Sequence, residues 1–187
     1  MSPPETWGPP IWTFFHTLAE KINDEHFHRI KCGLFFIIKR ICNFLPCPEC
    51  SLHATHFLGK ININAIQNKN QFKEMLFVFH NTVNKRRKKT LFNFENMSKY
   101  KNCNIGVVFN NFIKVYHTKG NMNLIAESFQ RSLLINDLKK WLLNNHSFFK
   151  TPKIITQCIN NANTQSEPLK NDGETEKQSE KQSEKQP

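Results

Sequence analysis

The sequence predicts an all-α protein, and three observations carry that expectation. Apolar residues recur at spacings of three and four along most of the stretch between positions 11 and 149. Clean alternating runs are few and glycine is scarce, six in 187 residues, which argues against a β-sandwich. Apolar residues make up 39% of the chain and aromatic residues 12%, enough to form a core and so to exclude a collagen-like or fully disordered protein. This length suits one domain, or one domain with an appendage, and excludes a large multidomain enzyme.

The elements follow in order. The segment from Trp7 to Trp12 opens the first helix, with Pro9 and Pro10 expected in a first turn, where proline is tolerated. Ile11, Phe14, Phe15, Leu18 and Ile22 then give its apolar stripe. Asp24 is placed to cap a second helix from about 26 to 44, striped by Ile30, Leu34, Ile37, Ile38 and Ile41 and stopped by Pro46. A third helix runs from near Pro48 to about Leu58, before Gly59. A fourth spans roughly 70–88 on Phe72, Leu76, Phe79 and Val83. Short connections between the four imply a compact bundle in about the first 90 residues.

Residues 91–104 read as polar and irregular. Two further amphipathic stretches, 105–117 and 123–149, imply a helical extension over 105–150, on or beside the bundle. From about 160 onward almost nothing is apolar, and Ser-Glu-Lys-Gln repeats at 179–182 and 183–186, the composition of a disordered tail over 160–187. The tail also redistributes charge. The formal net charge is +11, but residues 161–187 hold six acids and four bases, leaving the preceding 160 residues at +13. Such a basic body admits nucleic acid, an acidic surface or a phosphate-bearing cofactor as partner.

Residues 1–20 carry four prolines and no basic-then-apolar leader, and the run from Gly33 to Ile38 is too short to span a bilayer. The expectation is a soluble, cytoplasmic protein with no membrane partner. In a reducing compartment, closely spaced cysteines are more often redox-active or metal-binding than structural.

Leu45-Pro46-Cys47-Pro48-Glu49-Cys50 is therefore the most informative hexapeptide. Two cysteines three positions apart at a helix start can close a small disulfide, and the helix N-terminus favours the thiolate that disulfide exchange requires. Zinc is the rival, because His53 and His56 continue the series. On one uninterrupted helix, however, the end ligands lie about 14 Å apart and cannot share a tetrahedral ion. Zinc needs the helix to break, and nothing between Ser51 and Leu58 breaks it.

Two motifs flank this site. Trp12 and His16, four apart, share a helix face and could simply be a half-buried aromatic and a core histidine. His80, Asn84 and Lys88 line one face of the fourth helix, with Asn81 beside them, inside a segment that ends in the basic run 85–89. A flat ring, amides and cations in sequence suit a nucleotide. The basic run alone equally suits a solvated surface or nonspecific nucleic-acid contact.

Taken together, Gly8-x-x-x-Trp12-x-x-x-His16, Cys47-x-x-Cys50, and His80-Asn81-x-Val83-Asn84 followed by Lys89 resemble the Erv/ALR family of FAD-linked sulfhydryl oxidases, in the style of large cytoplasmic DNA viruses. The resemblance covers residues 1–95. It implies a four-helix bundle holding FAD, with Gly8, Trp12, His16, His80, Asn81, Val83, Asn84 and Lys89 as cofactor-binding residues and no metal. It implies Cys47 as the thiol that exchanges with substrate and Cys50 as the one beside the flavin, with oxygen reduced to hydrogen peroxide. Thiol-bearing proteins or a thioredoxin-like intermediary are the implied partners, and a homodimer the implied assembly.

The sequence departs from that pattern at Pro9, where Arg is common, at Leu45, where an aromatic residue is common, and at Arg87-Lys88, in place of Leu-Gly. The viral style rests on 21 Lys against 5 Arg and on 23 Asn, which suggests an AT-rich genome, host cytoplasm or virion, and a role in assembly. Cys32 and Cys42 are expected to pack in the core, and Cys103 and Cys158 to be free thiols, Cys158 being placed for a shuttle. The competing readings are a basic helical nucleic-acid-binding protein using 85–89 and a zinc-stabilised module using Cys47, Cys50, His53 and His56.

Overall fold

The computed structural model describes residues 3–116 and 125–150. Six α-helices form its framework: α1 (Pro4–Lys21), α2 (Phe27–Asn43), α3 (Pro48–Gly59), α4 (Lys69–Arg86), α5 (Ile105–Tyr116) and α6 (Ile125–Asn144). Short 3-10 helices punctuate them at Asp24–His26, Ile63–Ala65, Phe94–Asn102 and His146–Phe148. No strand occurs among the described residues, apart from an isolated bridge between Ile22 and Phe149. The protein is all-α. None of these helices is long and apolar enough to cross a membrane.

The apolar stripes read from the sequence point inward. Phe14, Leu18 and Ile22 of the first stripe, Leu34, Ile38 and Ile41 of the second, and Phe72 and Leu76 of the fourth are fully buried. α1 is the hub, packing on α4, α5 and the 3-10 helix Phe94–Asn102, while α2 packs on α3 and α6. Residues beyond 104 enter the same core through Val108, Phe112, Tyr116, Leu134, Ile135 and Leu138. Phe112 stacks on Phe14 with ring centroids 4.7 Å apart, and the Tyr116 hydroxyl donates to the Ile41 carbonyl at 3.1 Å. α6 approaches α2 closely at Gly33, where a Cβ would lie 3.0 Å from Trp141 Nε1.

Four local expectations are corrected. α1 begins at Pro4, so Pro9 and Pro10 lie inside it and not in its first turn. Each lacks an N–H, so two carbonyls near the helix start lose their intrahelical donors. The early start lets Trp7 be buried. Asp24 does not cap α2; it opens a 3-10 turn, and its carboxylate accepts from Lys69 Nζ at 3.1 Å and Lys150 Nζ at 3.4 Å. Residues 94–102 are a 3-10 helix, with Met97 and Tyr100 buried against α1. Cys32 is exposed and free, whereas Cys42 is buried as expected. Cys103 is also free, and Cys158 and the tail lie outside the described residues.

Candidate functional site

Cys47 is the N-cap of α3, in extended backbone, and Pro48 fills the first helical position, where its missing N–H costs nothing. The helix therefore starts between the two cysteines and brings their Cα atoms to 5.1 Å, where they form a disulfide. The Cys50 N–H donates to Cys47 Sγ at 3.2 Å, the bond that a capping side chain makes. Ser51 fixes the approach: its N–H donates to the Cys47 carbonyl at 2.9 Å, and its hydroxyl accepts from the Leu45 N–H at 3.0 Å. Cys47 Sγ thus sits at the positive end of α3, which stabilises its thiolate whenever the disulfide opens. α3 is uninterrupted through His53 and His56, and His53 Nε2 lies 3.5 Å from Glu49.

Cys50 lines a cavity of about 280 Å³ between α1, α3, α4 and the 3-10 segment; Cys47 does not. The two sulfurs therefore differ in what they face. Leu45, Ala54 and the buried thiol of Cys42 make the neighbouring wall apolar. Burial also pushes the Cys42 thiol far up, so it stays protonated and unreactive.

Across the cavity stands a stack of rings. Trp12 of α1 lies parallel to His80 of α4, centroids 4.1 Å apart at 9°, and meets Phe79 edge-on at 5.0 Å. Phe92 stacks on His80 at 4.9 Å. His16 lies behind this wall, fully buried, with its Nε2 3.0 Å from His80 Nδ1 and its face on Tyr100 at 5.0 Å. Burial lowers the His16 pKa to about 3, with His80 and Lys99 adding to the effect. Burial and then Lys99 lower that of His80 to about 4. Both imidazoles are neutral at physiological pH.

The end of α4 supplies a basic rim. Val83, Asn84, Arg86, Arg87 and Lys89 line the cavity, as does Lys99. Arg86 donates to Glu49 at 2.7 Å, and Arg87 donates to Glu5 at 2.6 Å, with Lys89 3.1 Å from the same carboxylate. A backbone hydrogen bond, then the hydrogen bond from Lys89 and the charge of Arg87, hold the Glu5 carboxyl below its usual range. Lys99 makes no ion pair among the described residues and lies over the Phe92 and Tyr100 rings at 5.2 and 5.1 Å.

Of the residues singled out from the sequence, Gly8, Trp12, Cys50, His80, Val83, Asn84 and Lys89 come together on this cavity. His16 stands one layer behind. Asn81 faces elsewhere: its amide donates to the Phe92 carbonyl at 3.0 Å and accepts from the Phe92 N–H at 2.7 Å. Lys88 lies beyond the helix, at φ 54°. Phe92, Lys99 and Tyr100 also line the cavity, and the sequence does not single them out because 91–104 has the polar composition of irregular structure. Spacing by three at Met97 and Tyr100 was the available signal, being the 3-10 period.

The residues suit a ligand with flat heterocycles and an anionic group. Parallel rings offer stacking surfaces, Leu45, Ala54 and Cys42 offer an apolar wall near Cys50, and the rim offers cations.

Comparisons with known proteins point the same way. The sequence model of the Erv1/Alr family matches residues 9–103. A protein named FAD-linked sulfhydryl oxidase from African swine fever virus (isolate Pig/Kenya) is 36% identical over 96 residues, covering 51% of this chain and 77% of the relative. A protein of the same name from a Namibian warthog isolate of that virus is 35% identical over 96 residues, with the same coverage. FAD-linked sulfhydryl oxidase ERV1 of Arabidopsis thaliana is 31% identical over 90 residues, covering 47% of this chain and 46% of the relative. No solved structure matches the chain. The matched stretch ends just before α5.

Proposed function

The chain belongs to the Erv1/Alr family, and on that premise we propose that it is an FAD-linked thiol oxidase that introduces disulfides into proteins. The overall reaction is 2 R-SH + O2 → R-S-S-R + H2O2. One observation carries the reading: a disulfide at a helix start has one sulfur on the wall of a cavity built from stacked rings and cations, and the other outside it.

FAD fits the donor set of this cavity. Trp12 and Phe92, which hold His80 between them, would take its rings, His80 would meet it by its ring edge, Val83 and Asn84 would take its ribose side, and Arg87, Lys89 and Lys99 its pyrophosphate. Gly8 leaves open space beside them, since a Cβ there meets nothing within 4 Å. Bound FAD supplies a two-electron acceptor and its reoxidation by oxygen.

The chain's own part is thiol–disulfide exchange. A substrate thiolate attacks Cys47 Sγ, the sulfur outside the cavity, breaking the Cys47–Cys50 bond and leaving the electron pair on Cys50 Sγ. A second substrate thiolate attacks the substrate sulfur of that mixed disulfide. Cys47 departs as a thiolate, held by the Cys50 N–H and the α3 N-terminus, which makes it a good leaving group. The substrate has lost two electrons and its two thiol protons, and the Cys47/Cys50 pair has gained the electrons. Cys50, on the apolar cavity wall, is the member placed to pass them on.

Thiol-bearing proteins, reached directly or through a thioredoxin-like intermediary, are the proposed substrates. A homodimer and action in host cytoplasm or virion during viral assembly complete the proposal, supported by the family and by the viral relatives. The purified chain tests it. It is expected to be yellow, to consume oxygen with dithiothreitol, and to release one hydrogen peroxide per disulfide formed; a colourless preparation that consumes no oxygen overturns the reading.

A further inference from the structure

We propose that His16 is a positioning residue that fixes the tautomer of His80, so that the cavity wall presents the His80 Nε2–H as a hydrogen-bond donor. The observation behind it is the 3.0 Å contact between His16 Nε2 and His80 Nδ1, together with a fully buried His16 Nδ1 that has no hydrogen-bond partner.

Two neutral imidazoles can share that contact in only two ways, because each carries one proton. In the first, His16 Nε2–H donates to His80 Nδ1. His16 Nδ1 is then a bare lone pair, and His80 carries its proton on Nε2. In the second, His80 Nδ1–H donates to His16 Nε2. His16 must then hold its own proton on Nδ1, and His80 Nε2 is bare.

The surroundings of His16 choose between them. Its buried Nδ1 meets no acceptor, and an orphaned buried N–H is rarer in folded proteins than an unused acceptor. The neighbouring rings cannot substitute as acceptors. Trp12, Phe92 and Tyr100 lie within 20–26° of parallel to His16, so an in-plane N–H misses their faces. Only the first arrangement avoids the orphaned donor. His80 cannot readily turn its ring over, since Trp12 and Phe92 both stack against it.

His80 Nε2 makes no hydrogen bond among the described residues, and His80 lines the cavity. The wall therefore selects a ligand with an acceptor at that place: an unprotonated ring nitrogen, or a ribose or phosphate oxygen. The ligand class rests on the reading that FAD occupies the cavity; the tautomer does not.

Long-range 1H–15N correlation spectra of the full chain labelled with 15N-histidine read the tautomers directly, with His16→Gln and His80→Gln spectra giving the assignments. Both rings are expected as Nε2–H forms, and Nδ1–H at His80 overturns the proposal. FAD affinity gives a second readout. His16→Met, which lacks a donor, is expected to weaken FAD binding about tenfold and to make the Nδ1–H form detectable at His80. His16→Gln, which places an amide N–H near the lost Nε2–H, is expected to restore binding to within about threefold. Equal FAD affinity for wild type and His16→Met also overturns it. A chain that binds no FAD at all refutes the proposed function instead, and leaves the tautomer measurement standing.

Discussion

Arg87 Nη2 donates to Glu5 Oε1 at 2.6 Å, joining the end of α4 to the first turn of α1 across the rim of the cavity. Lys89 shares the same carboxylate, so one acid engages two of the cations that would otherwise meet a phosphate. Glu5 is more than half exposed, and a pair of this kind contributes little to stability. Its consequence lies in competition with an anionic ligand. Glu5→Gln is expected to tighten FAD binding by about threefold in a fluorescence titration and to steepen its salt dependence. Unchanged affinity at all salt concentrations contradicts this.

Lys88 stands at φ 54°, the left-handed region that glycine favours. The helix end needs that conformation, because the Lys88 N–H bonds back to the Lys85 carbonyl at 3.1 Å and the Lys89 N–H to Asn84 at 2.9 Å. Lys88→Gly is expected to stabilise the protein by about 1 kcal/mol, raising Tm by about 2–4 °C, with the cavity intact. A fall in Tm means that the lysine side chain has a role its backbone does not reveal.

Asn81 and Phe92 exchange two hydrogen bonds, and Phe92 forms one face of the ring stack. Asn81→Ala leaves both Phe92 backbone groups unpaired and is expected to cost about 1–3 kcal/mol of stability along with FAD affinity. Asn81→Asp keeps the acceptor for the Phe92 N–H but turns a carboxylate oxygen towards the Phe92 carbonyl, and is expected to lose at least as much. Urea unfolding of the two variants checks the order.

How much of this was legible in the sequence depends on what kind of signal each part left. Helices with a 3.6-residue apolar stripe were read correctly because Phe14, Leu18, Ile38 and Leu76 are buried as the period requires. The disulfide was legible because Pro48 favours a helix start between two cysteines. The back wall of the cavity was not, since Phe92 is irregular and Tyr100 follows a period of three. Nor could sequence separate His80, on the wall, from His16 and Asn81, which support it: all three belong to the same motifs, and only packing divides them. Asp24 looked like a cap by its neighbours, but two distant lysines engage it.

The two histidines set an acid limit. Their folded pKa values, about 3 and about 4, lie below the ordinary 6.5, so the unfolded chain binds protons first as pH falls. The stability they allow is fully present above pH 6.5 and is lost as pH falls from there towards 4, by up to about 1.4 kcal/mol per pH unit for each ring. Urea unfolding of the oxidised protein between pH 7.5 and 4.5 is expected to show that slope, roughly halved in His16→Gln. Stability that holds constant to pH 4.5 contradicts the neutral pair.

On the proposed function, electrons leave the substrate through Cys50, the sulfur on the cavity wall. Anaerobic addition of dithiothreitol to the flavin-loaded protein, followed by its visible spectrum, tests this most directly. Wild type is expected to bleach and to regain its colour in air, while Cys50→Ser stays yellow with FAD still bound. A Cys50→Ser protein that bleaches as fast as wild type contradicts the account.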